Sequence, residues 1–248
     1  LPCVTVNDIE KERFYTTGCK HEDGDKIKYL YHAGTNGIDY TTKVFSLESA
    51  NLDDLRYSNF FSDVVTSVGI GEKDYEKIQK EQSLSTGGIG LSFNVLPDSS
   101  GNKFLLSAGL HGSALKKNFS KLESLMNDTI NGFRLNEIKR LEELTQFEIA
   151  GKEKSITQSG HILAMNGASA QISKFGAVSE FVGGVSSIHN LKKLRESNGK
   201  INMDMLLESF LKLKSSINPA SKIEVVISAN NQNYNKETTT KTGLESLD

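Results

Sequence analysis

Apolar positions along the chain change period several times, and each change predicts an element. Ile27 to Tyr31 and Ile38 to Leu47 are rich in β-branched and aromatic residues; with Asn36-Gly37 between them to make a tight reversal, they predict a hairpin. Tyr57, Phe60, Phe61, Val64, Val65 and Val68 then recur at i, i+3, i+4, i+7, i+8 and i+11, one face of a helix. Asn51 is its candidate cap, Asp53 and Asp54 suit its first turn, and Gly69 and Gly71 stop it. A short helix over 74–83 is ended by Gly87-Gly88. Ile89 to Leu96 and Phe104 to His111 read as a second hairpin, joined by a segment of Pro, Asp, Ser and Gly.

Helical spacing dominates the rest. Phe119, Leu122, Leu125, Met126 and Phe133 form one stripe and Ile138, Leu141 and Leu144 another, with Asn136 as a cap between them. Residues 160–170 are rich in small side chains. From Val178 to Leu194 the spacing is helical again but contains Gly183-Gly184, so either the helix breaks there or another backbone packs very closely. Met203 to Phe210 makes a further helix, and Ile223 to Ile227 a last strand. Hairpins segregated from runs of helices indicate an α+β fold, an antiparallel sheet with helices packed mainly on one face. Residues 1–26 read as a polar arm, 27–230 as a single domain, and 231–248 as a polar tail.

Composition narrows the functions. The chain has 248 residues, 37% hydrophobic and 24% charged, with 29 Lys+Arg against 31 Asp+Glu. That is enough chain to bury a sizeable core. A net charge of -2 gives no argument for nucleic acid or an anionic membrane as partner. No apolar run approaches the roughly 18–20 residues that span a bilayer. Leu1-Pro2-Cys3 resembles neither a signal nor a transit peptide, and the expectation is a piece of something longer.

Local catalytic and metal motifs are weak. Cys3 and Cys19 are too few for a disulfide framework; they read as unpaired thiols, with pairing across the short loop the alternative. Of the five histidines, even the nearest pair, His21 and His32, lacks the spacing of a local zinc site. Thr86-Gly87-Gly88-Ile89-Gly90 leads into a strand and not a helix, so it is not a phosphate loop. Ser159-Gly160-His161 brings a hydroxyl near an imidazole in sequence, but two positions apart on a helix they face different ways. A hydrolase built on Ser159 or His161 therefore has little support. Asn118-Phe119-Ser120 and Asn127-Asp128-Thr129 match a glycosylation pattern at the level chance allows.

Five segments together carry a resemblance. They are residues 1–9 (Leu1-Pro2-Cys3 onward), Thr35-Asn36-Gly37-Ile38-Asp39-Tyr40, Thr86-Gly87-Gly88-Ile89, Ser159-Gly160-His161 with Ala164, Met165 and Ala168, and the run Ser179 to Ser186. In that order and spacing the chain, from Leu1 to about Asn231, resembles the third of four related domains in the presequence protease and falcilysin branch of the pitrilysin and insulysin metallopeptidases.

The resemblance implies a zinc endopeptidase of unstructured peptides, enclosed by two halves of two domains each. Zinc is held in the first domain by an H-x-x-E-H helix and a further Glu, the motif Glu serving as base for water. The fourth domain supplies an Arg and a Tyr. In the present chain the Gly after that motif corresponds to Gly69, which puts the two His and the Glu on Phe60, Val64 and Asp63. Two apolar side chains cannot ligate zinc, so no catalytic or metal residue carries over, and zinc belongs to another domain. Substrate-binding residues are not identified.

The partners implied are other domains of the same polypeptide and peptide substrates, met through a contiguous apolar surface. The alternative is a catalytically silent binding or assembly subunit of the same fold. Ile89 to Val95 is the candidate for an edge strand that takes an extended peptide, unless it is paired inside the sheet. Members of the branch work in mitochondria, plastids and parasite organelles, and bacteria also have them; a mitochondrion or another organelle is the compartment the resemblance suggests.

Overall fold

In the computed structural model, residues 5–8, 18–47, 50–97, 104–218 and 223–228 are described. The strands are β1 (Gly18–Asp23), β2 (Lys26–His32), β3 (Ile38–Ser46), β4 (Gly88–Pro97), β5 (Phe104–Leu115) and β6 (Ile223–Ser228). They form one sheet in the order β1-β2-β6-β3-β5-β4. The helices are α1 (Ser58–Val65), α2 (Tyr75–Ser85), α3 (Phe119–Gly132), α4 (Ile138–Gln158), α5 (Gly160–Ser169), α6 (Lys174–Gly183), α7 (Val185–Lys192) and α8 (Met203–Ser216). The α+β class and the one-sided packing of helices are as the sequence predicts, although one strand pair, β2 with β6, is parallel.

Three local readings are corrected. Asn36 and Gly37 do turn the chain, at φ of 51° and 80°, but β2 and β3 make no hairpin, because β6 lies between them, parallel to β2 and antiparallel to β3. Ser228 Oγ donates to the buried Asp39 Oδ1 at 2.6 Å and fastens this insertion. Part of the expected polar arm is strand. Gly18 to Asp23 pairs with β2 through the turn at Gly24, whose φ is 58°, and Cys19 is buried beside His21, Sγ to Nε2 3.5 Å. Asn136 does not cap α4; its side chain accepts from Arg134 Nε, and Glu137 occupies the cap position. Cys3 and the tail 231–248 lie outside the described residues.

Elsewhere local chemistry and structure agree. Asn51 and Asp54 cap one another reciprocally, N–H to side chain in both directions, at the start of a 3-10 turn that leads into α1. Asp74 caps α2 by accepting from Lys77 N. The Gly183-Gly184 pair is a break: α6 ends there, and Glu180 reaches across to accept from Ser186 N at the start of α7. The β4–β5 hairpin forms as predicted.

The core lies between the helices and the inner face of β3, β5 and β4. Phe61 is its hub, with ring centroids 5.1 Å from Phe210, 5.6 Å from Phe133 and 6.1 Å from Phe93. These contacts tie α1 to α8, to the chain after α3 and to β4. Against the inner face of β5, Gly112 leaves room for Leu122 and Met126 of α3; a Cβ there would meet both. Among the described residues no helix is long and apolar enough to cross a membrane.

Candidate functional site

Helix α1 is where the resemblance places a metal site, and it can be tested atom by atom. Six of its eight residues are buried. Phe60 is 3% exposed and Val64 1%, and the Phe60 ring packs 5.6 Å from that of Phe210. Both are core side chains with no lone pair to offer, so the residues present do not fit zinc. Asp63 looks away from that core toward α4, where Glu148 and Lys152 lie, with Lys152 Nζ 3.6 Å from Glu148 Oε1. Burial pushes the Glu148 carboxyl above its ordinary value; Lys152 opposes that rise and the Asp63 charge adds to it. Asp63 is likewise raised by desolvation and pulled back by Lys152. Two carboxylates and one ammonium thus meet at the α1–α4 seam, with the ion pair itself made within α4. Sequence reading passed over Glu148 and Lys152, although their i, i+4 spacing on α4 is a legible signal for such a pair.

Among the described residues, no three His, Cys, Asp or Glu side chains come together in a way that could hold a metal ion. Ser159 sits at the joint between α4 and α5, outside either helix, and the His161 side chain is exposed on α5. That joint is a single bent residue between two helices, and among the described residues no hydrogen bond joins its hydroxyl to an imidazole.

The second candidate is the sheet edge. Strand β4 pairs with β5 along its length, and no other described strand pairs with it. Its Ile89 and Leu91 point into the core, so its outer backbone edge is the part left unpaired by strands. On the helix-free face, alternation and register set residues in rows across the strands. One row runs Tyr29, Val225, Thr42, His111, Gly90, and another Tyr31, Ile227, Tyr40, Ser113, Gly88. Glycines let rings lie flat here: a Cβ on Gly90 would run into the His111 imidazole, and one on Gly18 would meet the Tyr31 ring. Beside the edge this leaves a depression of about 410 Å³, lined by Tyr40, Thr42, residues 87–90, His111 and Ser113. Its walls are hydroxyls, one imidazole and bare backbone, with no carboxylate and no ammonium.

Comparison with known proteins follows the same lines. A protein-family model described as peptidase M16 (subfamily C) associated matches residues 1–194. A protein of Drosophila melanogaster named mitochondrial presequence protease is 24% identical over 204 residues, which cover 82% of this chain and 20% of that protein. One of the same name from Schizosaccharomyces pombe is 23% identical, covering 92% of this chain and 23% of its own length. Clostridium perfringens protein HypA is 26% identical, covering 81% and 21%. The chain therefore spans about a fifth of the length of these relatives. Among solved structures, a peptidase M16 inactive domain from Pseudomonas fluorescens superposes with a TM-score of 0.50 at 11% identity, over 87% of this chain and 47% of that one. A conserved protein from Enterococcus faecalis gives 0.53 at 9% identity, over 84% and 48%. At such identities these two structures speak to the fold alone.

Proposed function

Because the chain belongs to the family of peptidase-associated domains of M16 subfamily C, we propose that it is a non-catalytic domain of a longer zinc metalloendopeptidase that degrades unstructured peptides. It supplies wall to the substrate chamber and surface to the interfaces between domains. The observation that carries this reading is α1: it packs Phe60 and Val64 into the core where a catalytic relative would need two imidazoles. Zinc chemistry then belongs to another domain of the longer polypeptide, and closure of the chamber around it shuts out bulk solvent while keeping the one water that hydrolysis consumes.

The helix-free face of the sheet supports the wall. Ile27, Ile223 and Val44 form a third row beside the two already described, giving a broad aliphatic and aromatic surface on which an apolar peptide can rest. The β4 edge adds a place where an extended peptide can form backbone hydrogen bonds, with the depression beside it for a side chain. The mitochondrial relatives favour a mitochondrion or another organelle as the compartment. The 248-residue chain alone is expected to bind no stoichiometric zinc and to cleave no peptide. One equivalent of bound metal with chelator-sensitive hydrolysis by this chain overturns the assignment.

A further inference from the structure

Residues 155–173 contain no Asp, Glu, Lys or Arg, in a chain that is 24% charged. A run of that kind is expected in a core, yet α5, at its centre, has no buried residue. His161, Ala164, Met165 and Ala168 recur at i, i+3, i+4 and i+7 and all are exposed, so a stripe of the helix that is apolar but for the His161 imidazole faces outward. Ile162 beside it is 49% exposed, Met165 68%, and Ile172, just past the helix, 85%. The other face of α5 packs on α6, with less against α4. Ile156, one turn before the joint, continues the inward stripe of Leu141 and Ile149 but is 47% exposed.

We infer that the outward stripe of α5, with Ile162 and Ile172, is a docking surface for an apolar face of another domain of the same longer polypeptide. This rests on the reading that the chain is one domain of a longer protein. A second copy is a poor fit on size. One face of a ten-residue helix, about 15 Å long and 10 Å wide, presents at most a few hundred Å². A stable complex between separate chains needs about 800 Å² from each partner. A tethered partner meets the stripe at an effective concentration in the millimolar range, where a small apolar contact suffices. The relatives supply the tether in principle, since about four-fifths of their length lies outside the matched region. The absence of charge fits an occupant that stays in place, with no ionic rim to set the register of a transient one.

The test compares Met165→Cys in the full-length polypeptide and in the 248-residue chain, each labelled with a maleimide and read peptide by peptide by mass spectrometry. Lys80→Cys on exposed α2 serves as the control. Labelling of residue 165 in the full-length protein at least tenfold slower than in the short chain, with residue 80 equal in both, is the expected result. Equal rates at 165 overturn the inference. So does protection already present in the short chain that grows with concentration alongside a dimer in size-exclusion chromatography, which assigns the stripe to a second copy. Failure of the peptidase reading shows separately, as absence of peptide cleavage by the unmutated full-length protein, and leaves the labelling result standing.

Discussion

Two apolar helices of this chain have opposite fates. Helix α1, Ser-Asn-Phe-Phe-Ser-Asp-Val-Val, buries six of its eight residues and joins α8, β4 and the residues after α3 through Phe61. Helix α5 carries no full charge and buries none of its ten. The contrast teaches that apolar content does not by itself decide burial. What decides it is whether the fold brings a second surface to the stripe: α1 packs on the sheet and on α4, α6 and α8, while α5 packs mainly on α6 and the end of α4.

The contrast sharpens or breaks on substitution. Phe61→Ala empties the centre of the aromatic cluster and should cost about 3–5 kcal/mol, read by urea unfolding of the chain; a loss under about 1 kcal/mol would show that the cluster is not the hub. Val64→Thr keeps the shape but sets a hydroxyl against the core, where its one partner is the carbonyl four residues back, the bond Thr129 and Thr145 make in α3 and α4, so the cost should be about 1 kcal/mol. It should leave bound zinc at zero by elemental analysis.

At the α1–α4 seam, the raised Glu148 carboxyl favours the folded state when protonated. Its contribution is therefore complete below the unfolded-state pKa and is lost as pH rises through the elevated folded-state one. Glu148→Gln should flatten the fall in stability above the ordinary carboxylate range, by less than about 1 kcal/mol because solvent and Lys152 screen the group. A steeper fall in the variant would reverse the assigned sign. Ile162→Ala on α5 should change the stability of the short chain by no more than about 0.5 kcal/mol. A loss rivalling that of Phe61→Ala in the same urea series would erase the difference between the helices.

Much of this was legible from residues alone, and the reason is locality. The stripe from Tyr57 to Val68, the short helix after Asp74, the β4–β5 hairpin and the interruption of the helical stripe at Gly183-Gly184 all depend on neighbours within a few positions. The placing of Phe60 and Val64 in the core followed from the same stripe. What stayed hidden depends on distant partners. Nothing near Asn36-Gly37 says that residues 223–228 will separate the two strands it joins, because turn chemistry specifies a reversal and not a pairing. Charges at Lys20, Glu22 and Asp23 disguised β1, since only Gly18 and Cys19 of that strand are buried. The exposure of α5 was equally hidden: the sequence offers its apolar residues, but only the assembled neighbours show that nothing within the described residues covers them.

The insertion of β6 between β2 and β3 also constrains the order in which the chain can fold. The β1–β2 hairpin can form early from its own contacts, but it reaches the rest of the sheet only through a strand about 190 positions later. On a ribosome, the hairpin must wait until residue 228 has emerged. Such closure by late, long-range pairing is slow, and until it happens the edges of β2 and β3 are open to the wrong partner. A chain shortened before Ile223 would keep the aromatic hub and still be left with two pieces of sheet that have no means of joining.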